Sequence, residues 1–339
     1  MTYKLLSIEN KSLINVGDYV QALAASQFLP HVDGFVNREG LSDYDGDECK
    51  VIMNGWYMHN PTKWPPSHKI KPLFVAFHLN TSVANQMMTP EGIRYLKAHE
   101  PIGCRDLNTV ELLKQRDIDA YFSGCLTLTL GRNYKNSNKT DKVYFVDPII
   151  PRGAFIKDFC FMVRNLFLVG KLSEKLRPGY AKHKQMIIAA RFMRVYSKVF
   201  SKETISDAIY ISQQNAYYAS LSNEERFKEA ERLVKLYAEA LFVVTSRIHC
   251  ALPCLGVETP VYFLQRENDS EISSCRFGGL IDLFNKIEIS PTGLKRAFMC
   301  DGKISKNNIV KNSNKWIPLA DSLSRRCLDF ISLADSKIE

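Results

Sequence analysis

No apolar run in this sequence approaches the roughly 20 residues that a membrane-spanning helix requires. The longest, FCFMVRNLFLVG at 159–170, is short and contains Arg164, so no crossing is expected. The first residues, MTYKLLSIENKSLINVGDY, lack the basic start, apolar stretch and small-residue cleavage site of a secretory leader, and a cytoplasmic location is expected. Nine cysteines occur without a CxxC pair, and an odd number in a long chain argues for reduced thiols over a disulfide framework. Cys250 and Cys254 share a predicted helix face, but no second pair stands at a ligand spacing. The thiols therefore read as small hydrophobes, and no metal is expected. A GxGxxG turn and a Walker A loop are both missing, which disfavours nicotinamide cofactors and P-loop NTPase chemistry. Repeats and low-complexity tracts are missing too.

What remains is an ordinary globular composition, 45% hydrophobic and 24% charged, in a chain of 339 residues that exceeds one hydrophobic core. Short runs rich in Val, Ile and Phe alternate with helical patterns. In the first half they predict strands at YKLLSI, GFVNR, KVIMNG, LFVAFH, PIGCR and DAYFS, with helices over Asp18–Leu29, Thr89–Ala98 and Leu107–Gln115. The polar stretch RNYKNSNKTDK after Gly131 marks a domain boundary. The pattern then restarts with KVYFVDP, DAIYISQ, LFVVTS and VYFL as strands and Ser222–Ala240 as a long helix. Strands that alternate with helices imply mostly parallel sheets covered on both faces, so the expected fold is α/β in two parallel units. A last helix is expected over Leu319–Leu333.

Charge is unevenly spread. The chain carries +9, yet the segment from Arg152 to Lys202 holds twelve Lys or Arg against Asp158 and Glu174, a net +10. The rest is nearly neutral, and the basic residues are not interleaved with recognition motifs, so no nucleic-acid partner is expected. Within the segment, MIIAARFMRVYSKVF at 186–200 suits an amphipathic helix lying on anionic lipid, with Arg191, Arg194 and Lys198 toward the headgroups.

Chemistry-bearing residues gather where strands are expected to end. In open parallel sheets ligands bind beyond the carboxyl ends of the strands, and a helix N-terminus there offers free N–H groups and a positive dipole. In LFVVTSRIHCALPCLG, Ser246 is placed to cap the helix, and Arg247 and His249 sit in its first turn. An Arg fork suits carboxylate or phosphate, and His moves a proton near neutral pH. Ile248, Ala251, Leu252 and Leu255 fall on the core face, and the two polar groups converge only if Arg247 lies in the turn itself. Pro253 is expected to kink the helix. NVGDYVQA repeats the geometry, with Asn15, Gly17 and Asp18, although Asp18 is equally explained as a helix cap. Further strand ends carry Asn54, Trp56, His59, His78 and Arg105. An indole and several amides around one sheet point to a sugar cleft.

Taken together, NVGDYVQA, IMNGW, GCRDLNTVELLKQRDIDAYFSGCLTLTL and TSRIHCALPCLGVETPVYFL resemble the polysaccharide pyruvyl transferase family, in order along the chain. The resemblance implies a GT-B-like architecture, two Rossmann-like domains facing across a cleft. Residues 1–135 would form the acceptor side, 141–290 the donor side, and 291–339 a tail packing back. The implied reaction moves the pyruvyl group of phosphoenolpyruvate onto a sugar of a capsular or exopolysaccharide precursor, forming a cyclic ketal and releasing phosphate without a cofactor. Arg247 and His249 would act in the donor pocket, with Arg105 at the cleft and the NVGD and NGW segments lining the acceptor side. Arg266 and Arg276 are candidate further phosphate contacts, and spacing does not choose between them. A lipid-linked acceptor would explain the basic segment. The alternative is a GT-B glycosyltransferase using a nucleotide sugar, which needs the same cleft and a similar anion site.

Overall fold

The computed structural model describes residues 1–8, 14–176, 181–267, 277–290 and 293–332. The short apolar runs form strands: β1 (Thr2–Ser7), β2 (Ile14–Asn15), β3 (Phe35–Asn37), β4 (Cys49–Ile52), β5 (Gly55–Tyr57), β6 (Ile70–Leu73), β7 (Phe77–Leu79), β8 (Ile102–Cys104) and β9 (Ala120–Phe122). All but β2 make two four-stranded parallel sheets, ordered β3-β1-β4-β6 and β5-β7-β8-β9. The expected single strand LFVAFH is broken. β6 ends at Leu73 and β7 starts at Phe77, with Ala76 at φ 53 between them. A side chain in that left-handed region cannot continue an extended ladder. Met53 N still donates to Leu73 O at 2.8 Å and Gly55 N to Ala76 O at 3.3 Å, which joins the sheets across the break.

The second half adds β10 (Val143–Val146), β11 (Ile209–Ile211), β12 (Gln214–Asn215), β13 (Phe242–Thr245), β14 (Val261–Arg266), β15 (Asn285–Ser290) and β16 (Gly293–Arg296). All but β12 belong to one six-stranded sheet, ordered β11-β10-β13-β14-β15-β16 and parallel except at β16. VYFV and FVVT are buried along their whole length because helices cover both faces, the pattern that makes such strands continuously apolar. The result is the α/β, mostly parallel, GT-B-like fold.

Two features tie the halves together. The Val16–Ser26 helix packs on the Asn223–Glu239 helix, and Val16, Tyr19, Leu23, Leu126, Leu233, Tyr237 and Leu252 share one apolar core. Each such side chain contributes about 1.5–3 kcal/mol when fully buried. Tyr19 OH donates to Asn223 Oδ1 at 2.6 Å and receives Arg226 Nη1 at 3.2 Å. The long helix starts where its sequence says, with Ser222 and Glu225 closing a capping box. Second, β2 and β12 pair antiparallel, Asn15 with Gln214 and Ile14 with Asn215, and Val16 N donates to Gln213 O at 2.9 Å.

The Ile317–Ser332 helix lies against the first half. Lys50 Nζ donates to Phe330 O at 2.5 Å, and the Arg326 guanidinium sits 4.2 Å from the Tyr121 ring centroid. In the basic segment the structure departs from expectation. The Lys182–Tyr196 helix buries Phe192, Met193, Val195 and Tyr196, so its apolar face serves the core and cannot lie on lipid. Arg191 and Arg194 point to the buried Asp158 carboxylate, with contacts of 2.7 and 2.8 Å. Among the described residues no helix is long and apolar enough to cross a membrane.

Candidate active site

A cleft of about 410 Å³ opens where the two halves meet. Ile8, Arg38 and Arg105 reach it from the loops following β1, β3 and β8, while Asn15 and Asp18 come from the start of the Val16–Ser26 helix. Trp56 and His59 come from β5 and the residues after it, their rings 4.5 Å apart. Gln213, Gln214, Ser246, Arg247 and His249 face them from the ends of β11 and β13. The cleft thus lies at the carboxyl ends of parallel strands, where open α/β sheets bind ligands.

Arg247 and His249 converge, and the backbone shows how. Arg247 is the N-cap of the Ile248–Gly256 helix, with extended φ −100 and ψ 126, and its N–H donates to Thr245 Oγ1 at 2.9 Å. It therefore stands in the turn, as its spacing from His249 requires. Its Nε donates to Asp147 Oδ2 at 3.0 Å and its Nη2 to Gln214 Oε1 at 2.9 Å. The kink falls at His249, φ −82 and ψ 16, four residues before Pro253. Proline has no N–H to give the carbonyl four residues back. That carbonyl belongs to His249, and Gln213 Nε2 donates to it instead at 3.2 Å. Ser246 does not cap the helix; its hydroxyl donates to Asp147 O at 2.7 Å.

Asp147 is the unforeseen organiser of this wall. It follows β10 at φ 45, and its carboxylate also accepts from Ser212 Oγ at 2.6 Å and Gln213 N at 3.0 Å. On the opposite wall Asn15, not Asp18, caps the Val16–Ser26 helix, accepting from Gly17 N at 3.0 Å. Asp18 instead accepts from Arg38 Nη1 at 3.5 Å and Gln21 Nε2 at 3.2 Å. Gly17 lies beside the cleft, where a Cβ would stand 3.1 Å from His249 Cβ and 3.0 Å from Asn15 Oδ1, so a larger residue would push these neighbours back by a few tenths of an ångström.

Electrostatically the cleft is short of anions. Arg38 has Asp18 and Glu39 beside it and lies over the Trp56 ring at 5.6 Å. Arg247 has Asp147. Arg105 is different. It is 2% exposed, and among the described residues its side chain makes no hydrogen bond or ion pair, with Nε left unsatisfied. Burial pushes its guanidinium pKa below the ordinary value, only partly offset through space by Asp106 and others, Asp18 among them.

Of the residues expected at a site, the cleft gathers Asn15, Asp18, Trp56, His59, Arg105, Ser246, Arg247 and His249. Asn54 is buried elsewhere, its amide donating to Gln21 O at 2.8 Å. His78 is an interior residue bonded to Asp106 at 2.5 Å, outside the cleft. Arg266 lines an adjoining cavity of about 500 Å³ that shares Ser246 and Arg247. Arg276 lies outside the described residues. Arg38, Gln213, Gln214 and Asp147 were missed, although Arg38 at the end of GFVNR, Asp147 at the end of KVYFVDP and Gln213 at the end of DAIYISQ all carry the strand-end signal.

Two facing Rossmann-like halves with a cation-rich cleft at their strand ends define a GT-B-like transferase architecture. The chain matches the family model of polysaccharide pyruvyl transferase over residues 15–268 and belongs to that family. Membership makes it an enzyme of pyruvyl transfer in polysaccharide synthesis, with a polysaccharide or its sugar as acceptor. Neither a curated protein nor a solved structure matches the chain.

Proposed function

We propose that the protein transfers the pyruvyl group of phosphoenolpyruvate to a sugar of a capsular or exopolysaccharide precursor, forming a cyclic ketal and releasing phosphate. The observation that carries this reading is Arg105, a buried guanidinium on the cleft whose Nε has no hydrogen-bond partner among the described residues. Such a group needs an anion, because burying an unpaired charge is costly. Phosphoenolpyruvate offers two, a carboxylate and a phosphate, and Arg105 and Arg247 lie on opposite walls to receive them.

In this reading residues 1–135 hold the acceptor, with Arg105 reaching across to the donor that 141–290 hold, and the Ile317–Ser332 helix braces the first half. His249 delivers a proton to the methylene carbon, which becomes the methyl group and leaves an oxocarbenium-like centre at C2. One sugar hydroxyl adds there, and a second displaces phosphate from the same carbon. Of the two hydroxyl protons, one returns to His249 and the other leaves with phosphate. Trp56 offers a ring face to the pyranose, and Asn15 and Asp18 accept hydroxyl hydrogen bonds. The enol phosphate supplies its own leaving group, so no cofactor enters the scheme.

The test is phosphate release from phosphoenolpyruvate against a panel of glycosides and lipid-linked sugars. His249→Ala should abolish turnover, and Arg247→Ala should mainly raise KM for the donor. Release of a nucleoside diphosphate from a nucleotide sugar, with none of phosphate from phosphoenolpyruvate, would replace this reading with that of a glycosyltransferase.

A further inference from the structure

The Phe155–Arg164 and Leu166–Leu176 helices leave six large apolar side chains in water: Phe155, Ile156, Phe159, Val163, Leu166 and Phe167. Ile156 is 75% exposed and Phe167 82%. Their placement is ordered. Phe155, Phe159 and Val163 fall at i, i+4 and i+8 on one stripe with Ile156 beside it, and the Phe155 and Phe159 rings stack at 6.1 Å. The other side of the same helix is the packed one. There Asp158 is clamped by Arg191 and Arg194, and Lys202 Nζ donates to Asn165 Oδ1 at 2.7 Å while lying over the Phe161 ring. Scattered exposed apolar residues need no explanation, but a continuous ridge does.

The surrounding charge decides what covers the ridge. Arg152, Lys157 and Arg164 are exposed, Lys171 is paired with Asp207 at 2.7 Å, and Lys157 and Arg164, seven residues apart, share a flank of the stripe. Glu174 is the exposed acid on the two helices, since Asp158 is buried. An apolar ridge with a cationic flank complements a surface that is apolar inside and anionic at its boundary. A second copy of the chain would set like charges against each other instead. The ridge also adjoins the site: Pro148, Ile149 and Ile150 line the cavity beside Arg247, and the chain runs from them into the helix at Phe155.

We infer that this helix pair docks on anionic lipid bilayers, with the six apolar side chains entering the headgroup boundary and Lys157 and Arg164 resting on lipid phosphates. An enzyme held this way takes its sugar acceptor at the membrane face; that consequence rests on the pyruvyl-transfer reading, whereas the docking does not. The test is therefore a binding measurement: flotation of the full chain with vesicles of phosphatidylcholine alone or with phosphatidylglycerol, at about 0.1 M salt. The wild type should favour the anionic vesicles about tenfold or more. Ile156→Ser with Phe167→Ser should weaken that binding about tenfold or more, and Lys157→Gln with Arg164→Gln about 30-fold. Both pairs are exposed, so melting curves should match the wild type. The inference is overturned if the wild type ignores both vesicles or floats equally with them. It is equally overturned if the serine variant binds like the wild type, or if sedimentation shows a dimer that this variant dissolves.

Discussion

Replacing Arg105 with Met should make the protein more stable and unable to hold its donor. The guanidinium is buried and unsatisfied at Nε, and burial depresses its pKa, so its charged form is worth less in the folded chain than in the unfolded one. An unsatisfied buried polar group costs about 1–3 kcal/mol, and a methionine of similar length removes that cost while keeping the packing. Arg105→Met should therefore raise the unfolding free energy by about 1–3 kcal/mol in urea titrations followed by tryptophan fluorescence. Donor binding should fall by about 2–5 kcal/mol, the usual loss when one partner of a buried charged contact is deleted. The two effects separate in one assay. Phosphoenolpyruvate at a hundred times its Kd should stabilise the wild type by about 2.7 kcal/mol and the variant by less than about 1 kcal/mol at the same concentration. A variant less stable than the wild type, or one that the donor stabilises as much as it does the wild type, would refute the reasoning, since Arg105 would then be a structural residue.

Three further outcomes follow from the geometry. Gly17→Ala sets a Cβ 3.1 Å from His249 Cβ; stability should stay within about 1 kcal/mol because the helix gains what the contact loses, while turnover falls roughly threefold to tenfold in the phosphate-release assay. Asp147→Asn keeps a residue that tolerates φ 45 but leaves a single acceptor for Arg247, Ser212 and Gln213. Arg247 is partly exposed, so donor KM should rise by up to about fivefold with kcat nearly kept. For Asp106, burial raises the carboxyl pKa, but the His78 hydrogen bond and charge, with Arg105 and the Thr109 amide, outweigh it and hold the pKa below its ordinary value. Its contribution is complete above the unfolded carboxyl pKa of about 3.9 and is lost as pH falls through the lower folded value. Asp106→Asn should thus cost about 3 kcal/mol at pH 7 and flatten the acid limb of stability below about pH 4.

Much of the fold was legible because continuous Val, Ile and Phe runs such as VYFV and FVVT have no other comfortable state than strands covered on both faces. The split of LFVAFH was not, because the left-handed turn at Ala76 answers to the packing of two sheets and leaves no mark on local composition. The site was legible where a rule about strand ends applies, as for Arg247, His249, Arg105 and Trp56. It was hidden where a role depends on a partner distant in the chain: Asp147 matters because Gln213 and Arg247 meet it, and His78 is interior because Asp106 does. The basic segment teaches the same lesson. Its net charge is plain in the sequence, but that Arg191 and Arg194 serve a buried carboxylate is a three-dimensional fact.

The antiparallel pairing of β2 with β12 governs how such a molecule breathes. Spreading the floor would sever the ladder between Asn15 and Gln214 and the Val16–Gln213 bond together. An opening that keeps that seam intact swings from it as a book does from its spine, parting at the outer rim while Gly17, Gln213 and His249 keep their spacing. Substrates then come and go over the rim, and the innermost groups are already in register when they arrive.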